Sequence, residues 1–196
     1  MTKHAYLTHP QVAIDPDVPV PKWGLSPVGR ARIEALVRDG WTSRFRRIIS
    51  SDETKAIEAA TLIGRALGLK VEVFEGLHEN DRSATGFLPP PEFEAMANAF
   101  FASPGTSVRG WERAVDAQTR IVAGVRRIAG SEPETPTLFV GHGGVGTLLK
   151  CALGQRAIAR SEDQLAGGGG NHFGFTLRPD GLTYDWRAIE DAPPLP

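Results

Sequence analysis

Cys151 is the only cysteine in the chain, which excludes an intramolecular disulfide and a Cys-rich zinc site. Its neighbours Leu148, Leu149, Ala152 and Leu153 are apolar, so it reads as a buried structural thiol rather than a nucleophile. Charge of either sign is not in surplus either: 22 Lys and Arg stand against 23 Asp and Glu, a formal net charge of −1. A polyanion surface needs a basic excess, so nucleic acid is not an expected partner, and the cluster of Arg44, Arg46 and Arg47 reads as a solvated face. Long hydrophobic runs are missing as well. None approaches the roughly 20 residues that a bilayer span takes, and Met1 to Leu7 is too poor in apolar residues for a secretory leader. The expectation is a cytoplasmic protein that binds neither nucleic acid nor membrane.

What is present is the patterning of one globular domain spanning residues 1–196, with 41% hydrophobic and 23% charged residues. Ala5 to Thr8 reads as a first strand, stopped where Pro10 follows His9. Ser26 and Pro27 have the chemistry of an N-cap and first helical residue, and Ile33, Leu36 and Val37 continue at helical spacing towards Gly40. Arg47 to Ser50 is a second strand, cut off by Ser51-Asp52. A helix follows with Ala56, Ala59, Ala60, Ile63, Ala66 and Leu67 on one face. Val71 to Phe74 alternates like a strand. Residues 78–91 are polar and rich in Gly and Pro, a long connection of the kind that often carries function.

Helical patterns cover Glu92 to Ala102 and Trp111 to Ala129. Thr137 to Val140 is an apolar strand ending in Gly141-His142-Gly143-Gly144, before a helix from Val145 to Leu153. Phe173 to Leu177 and Leu182 to Trp186 form two strand-like pieces around a Pro179-Asp180-Gly181 turn. Strands alternating with helices predict a three-layer α/β fold, a mostly parallel sheet with helices on both faces.

In such sheets ligands bind beyond the carboxyl ends of the strands. Three strands end in polar residues there: Thr8-His9, Ser50-Ser51 and Gly141-His142. Two imidazoles leaving separate strands can meet in one pocket, where they suit nucleophilic attack and charge stabilisation near neutral pH. The glycines after His142 open a helix whose N–H groups can face an anion. His4 is expected on the surface, and His172, after the run Gly167 to Gly170, in a mobile turn.

The order of these pieces resembles the histidine phosphatase superfamily, in its phosphoglycerate-mutase-like branch. Tyr6-Leu7-Thr8-His9-Pro10-Gln11 corresponds to a strand ending in Arg-His-Gly, and Leu25-Ser26-Pro27-Val28-Gly29 to a Leu-Ser/Thr-x-x-Gly helix start. Ser50-Ser51-Asp52-Glu53-Thr54-Lys55-Ala56 stands for Ser-Ser-Pro-Leu-x-Arg-Ala. Leu77-His78-Glu79 is similar to Leu-x-Glu, and Val140-Gly141-His142-Gly143-Gly144 to Ser-His-Gly-Gly. The resemblance implies phosphoryl transfer without cofactor or metal, with His9 as nucleophile, Glu79 as proton donor and His142 stabilising charge. Gly143 and the residues matching the family's cationic positions, Thr8 and Lys55, would line the phosphate site.

The departures fall on those cations. Thr8 and Lys55 replace arginines, and Pro10 replaces a glycine. A guanidinium grips phosphate in two places, a lysine is a point charge, and threonine offers only a hydroxyl. A working site then needs a substitute cation, and Arg82 in the polar loop is the first candidate, ahead of Arg109 and Arg30. The resemblance implies a metal-independent phosphomonoesterase acting on a small phosphorylated compound, with inorganic phosphate as the simplest ligand. The alternatives are an impaired homologue that binds an anion or a protein partner, and a phosphoglycerate mutase. Substrate identity and oligomeric state stay open.

Overall fold

The computed structural model describes residues 2–192. Its centre is a six-stranded sheet in the order β3-β2-β4-β1-β5-β6, built from β1 (His4–Thr8), β2 (Arg47–Ser51), β3 (Val71–Phe74), β4 (Thr137–Gly141), β5 (Asn171–Leu177) and β6 (Asp180–Ala188). The first four run parallel, as the strand–helix alternation predicts. β5 and β6 add an antiparallel hairpin on the edge of β1.

Helices cover both faces. α1 (Pro27–Arg38) and α2 (Thr54–Leu67) lie on one side; α3 (Pro90–Ala102), α4 (Ala114–Ser131) and α5 (Gly143–Leu153) lie on the other. The strands divide their side chains accordingly. Ala5, Leu7, Ile48, Leu138 and Val140 pack with Ile33, Leu36 and Ile63 of the first pair. Tyr6, Ile49 and Phe139 pack with residues such as Phe100, Ile121 and Leu148 of the second group. This two-sided burial is why the parallel strands read as unbroken apolar runs rather than alternating ones. Ser26 caps α1 as expected, accepting from Gly29 N–H at 3.1 Å.

Two histidines differ from expectation. His4 lies inside β1 with its ring 5.4 Å from that of Phe175, and is buried. β1 is a central strand, so no position along it faces water. His172 belongs to β5 rather than to a mobile turn. Its ring lies 4.4 Å from Trp41 and its Nδ1 2.9 Å from the Tyr184 hydroxyl. Cys151 is buried, as its apolar neighbours suggest. No helix among the described residues is long and apolar enough to cross a membrane.

Candidate active site

Thr8 is the register partner of Gly141 across the parallel β1–β4 ladder, so the residues that follow them, His9 and His142, leave adjacent strands side by side. Their ring centroids are 5.3 Å apart, at 68° to one another. His9 N–H donates to Gly141 O at 2.9 Å, which ties the two strand ends together. Its Nδ1 lies 2.8 Å from Pro10 O. A carbonyl only accepts, so Nδ1 carries the proton and Nε2 keeps the lone pair. Burial, helped by the charge a protonated His142 would add, pulls His9 down to about 3. The imidazole is therefore neutral at physiological pH.

His142 is fully buried. Its Nε2 meets Ser51 Oγ at 2.7 Å and Glu53 Oε1 at 3.6 Å, while Nδ1 has no partner among the described residues. Burial pulls its pKa down too, against the raising effect of Glu53 and Glu79. Tyr6 holds the backbone: its hydroxyl accepts from His142 N–H at 2.9 Å and donates to His142 O at 3.2 Å. Tyr6 carried no signal in the sequence beyond a core position.

Lys55 is buried and points into this cluster, but its ammonium is shared. It pairs with the Glu53 carboxylate and donates to Val20 O at 2.9 Å. Glu53 was not singled out by sequence reasoning, although it is acidic where the resembled motif has leucine. Burial alone would raise its pKa. Charge on His142 and Lys55 and hydrogen bonds from Lys55 and Glu79 N–H outweigh that and hold it at about 2. The pair brings a negative charge into the pocket together with the positive one.

Glu79 sits at the N-terminus of α5. Its carboxylate accepts from Gly144 N–H at 3.0 Å and Val145 N–H at 2.9 Å, the arrangement in which a helix terminus favours an anion. Burial raises its pKa, but Arg82, His142 and those two N–H groups more than reverse this, so it is held below the ordinary carboxyl value. Arg120 of α4 holds the segment in place, donating to Gly76 O at 2.9 Å, His78 O at 3.0 Å and Glu79 O at 3.3 Å. Arg82 stacks over Phe93 at 5.1 Å and Trp111 at 5.6 Å. Its guanidinium makes no hydrogen bond or ion pair among the described residues, while its charge is felt at Glu79 and His142. Arg30 instead pairs with Glu58 at 2.8 Å, and Arg109 is exposed.

Thr8 is buried and its hydroxyl is fully used. It accepts from Asn171 N–H at 2.9 Å and donates to Gln164 Oε1 at 2.9 Å. Gly143 lies under the Gln164 amide: a Cβ on Gly143 would come within 2.1 Å of Gln164 Nε2. With Gly144 and Val145 spent on Glu79, the Gly143 N–H is the helix donor left without a partner among the described residues.

The glycine run forms the wall beside His9. Gly167 to Gly170 all have positive φ, and Gly170 N–H donates to His9 O at 3.1 Å. A Cβ on Gly169 would fall 2.2 Å from that same oxygen. Arg32 staples the run, donating to Gly169 O at 3.0 Å and to Gln11 Oε1 at 3.0 Å, while it grips Glu190 with two further N–H groups. Among the described residues no three His, Cys, Asp or Glu side chains come together as metal ligands would.

Comparison with known proteins gives a consistent answer. The family model described as histidine phosphatase superfamily (branch 1) matches residues 11–165, a span that begins just after His9. No curated protein matches the chain significantly. Among solved structures, a mycobacterial glucosyl-3-phosphoglycerate phosphatase in complex with VO3 superposes with a TM-score of 0.75 at 24% identity, over 95% of this chain and 97% of the other. A phosphoserine phosphatase from Entamoeba histolytica gives 0.76 at 15% identity over 96% and 98%. YhfR from Bacillus stearothermophilus gives 0.79 at 18% over 94% and 95%. The chain belongs to the histidine phosphatase superfamily, branch 1.

Proposed function

We propose that this protein is a single-domain, metal-independent phosphomonoesterase of small phosphorylated compounds, working through a phosphohistidine on His9. The observation that carries the proposal is the state of His9. It is neutral, its proton is fixed on Nδ1 by Pro10 O, and its Nε2 lone pair is free beside His142. That is what an uncharged in-line nucleophile requires. Solved proteins of the same fold are described as phosphatases of glucosyl-3-phosphoglycerate and phosphoserine, which supports a small phosphorylated substrate.

In the first step His9 Nε2 forms the N–P bond as the ester P–O bond breaks, and the leaving oxygen takes a proton from Glu79. In the second, water attacks phosphorus, Glu79 takes its proton, and the N–P bond pair returns to His9. The resting Glu79 is ionised and ready for the second role. For the first, the incoming phosphate anion raises the proton affinity of the carboxyl beside it, so acid and base forms alternate with occupancy of the pocket. Lys55, Arg82, His142 and Gly143 N–H are the groups available to hold the phosphoryl oxygens.

The test is hydrolysis of a generic aryl phosphate by wild type and His9→Ala, with the intact mass read after rapid quenching. Release that depends on His9, with a phosphate adduct on the wild type alone, supports the reading; equal release from both sinks it. A second reading, an impaired homologue that binds an anion or a protein partner, is favoured by the Lys55–Glu53 pair, which cancels the charge of the cation left at a motif position. Phosphate-dependent stabilisation without any turnover would support it.

A further inference from the structure

Thr8 stands where the resembled motif has arginine, and its hydroxyl does not face the pocket as a free donor. It is committed to Gln164. Thr8 Oγ accepts from Asn171 N–H, and of the two acceptors its own proton can reach, Gln164 Oε1 at 2.9 Å is nearer than Asn171 O at 3.3 Å. Asn171 Nδ2, which can only donate, reaches the same oxygen at 3.3 Å. Asn171 Nδ2 also donates to Leu165 O at 3.2 Å, which identifies it as nitrogen, so the end of the Gln164 carboxamide that faces it is the oxygen. The other end, Nε2, lies over Gly143 and has no partner among the described residues. The backbone behind it is fixed as well. Gln164 N–H and the Thr147 hydroxyl both donate to Asp163 Oδ1 at 2.8 Å, which moors the segment to α5.

An oriented amide N–H₂ beside the unpaired Gly143 N–H and next to His142 is a two-donor cradle for one phosphoryl oxygen. We propose that Gln164 is a phosphate-binding residue of this site, supplying from Nε2 a contact that an arginine at position 8 would otherwise make, with Thr8 and Asn171 as its positioning residues. The inference rests on the phosphoryl-transfer reading above. It also changes the chemistry of the grip: the donor is neutral, so it orients the phosphoryl group without adding charge.

Gln164→Glu tests this cleanly. The carboxylate keeps an oxygen for Thr8 and Asn171 and replaces only Nε2, with an acceptor that repels phosphate. Vanadate binding to the full chain and aryl phosphate hydrolysis are measured side by side with thermal midpoints. The expected result is a rise of at least about tenfold in the vanadate Kd and a fall of about a hundredfold in kcat/KM, the scale of losing one such donor, with an unchanged midpoint. Thr8→Ala is expected to give part of that loss, mostly in KM, and Thr8→Ser to restore it. Wild-type vanadate binding and turnover in Gln164→Glu overturn the inference while leaving the function intact. A fall in the melting point together with activity lost equally in Thr8→Ser overturns it as well, because Gln164 and Thr8 are then structural only. A wild type showing neither His9-dependent turnover nor vanadate binding overturns the function reading and this inference together.

Discussion

Lys55 and Glu53, two residues apart on the chain, form an ion pair in which both side chains are buried. The pair sits where the strand β2 hands over to α2, so neither partner can leave without exposing the other to a dry interior. Removing one member of a buried pair costs about 3–5 kcal/mol. Glu53→Gln is therefore expected to lower the stability of the free protein by roughly that amount in urea unfolding. Inorganic phosphate, which can then pair with the released ammonium, is expected to raise the melting point of Glu53→Gln more than that of wild type. An equal phosphate effect in both proteins argues that Lys55 does not reach the ligand.

Glu79→Gln keeps one oxygen for one of the two helix N–H groups, loses the acceptor of the other, and cannot take a proton from water. Loss of a general base typically costs about 10²–10⁴ in rate. The second step is expected to suffer, so phosphorylated protein accumulates during turnover of an activated aryl phosphate, whose leaving group needs no proton. Rapid-quench mass measurement checks this. Absence of any adduct, with turnover reduced, would point to a different group acting on water.

Gly169→Ala places a methyl group 2.2 Å from His9 O at a backbone φ of 82°. Either the glycine run or His9 has to move. A displacement of about 1 Å at a nucleophile costs on the order of a hundredfold in rate, and that loss in kcat is the expected outcome, with vanadate affinity falling alongside it. Gly181→Ala, at a glycine whose added Cβ meets nothing within 4 Å, is the matched control.

His172 gives a pH dependence with a definite sign. Burial, with Arg187 and Arg44 adding to it, pulls its folded pKa down to about 4 from an ordinary 6.5. The unfolded chain binds the proton first, so stability is present above about pH 6.5 and lost as pH falls towards 4. Between pH 7 and pH 5 the loss from this one group is roughly 2 kcal/mol. Urea titrations of wild type and His172→Phe at the two pH values read it directly; identical pH slopes would falsify the assignment.

The fold was legible because the strand and helix periods are clean and the motifs recur in family order. Ser26, Pro27 and the apolar runs at 48–49 and 138–140 announce their elements by local chemistry alone. The two histidines were legible for the same reason, standing at the ends of strands. What could not be read was pairing across distance. Glu53 looks like one more surface carboxylate until β2 and α2 place it against Lys55 and His142. The glycine run looks like slack until β5 docks beside β1 and brings it onto His9. Gln164 has no pattern at all, since its role depends on Thr8 and Asn171 turning its amide. His4 and His172 were misjudged because a strand's place in the sheet, central or edge, is not written in its own few residues.

The wall that glycines 167 to 170 raise against His9 also makes the first strand's end depend on the last part of the chain. His9 emerges early in synthesis, yet the hydrogen bond that secures its carbonyl comes from Gly170, just ahead of the last hairpin, and the Arg32 staple closes on Glu190. A chain clipped before Gly170 and Glu190 therefore lacks the wall that secures the His9 carbonyl, even where its parallel strands are complete.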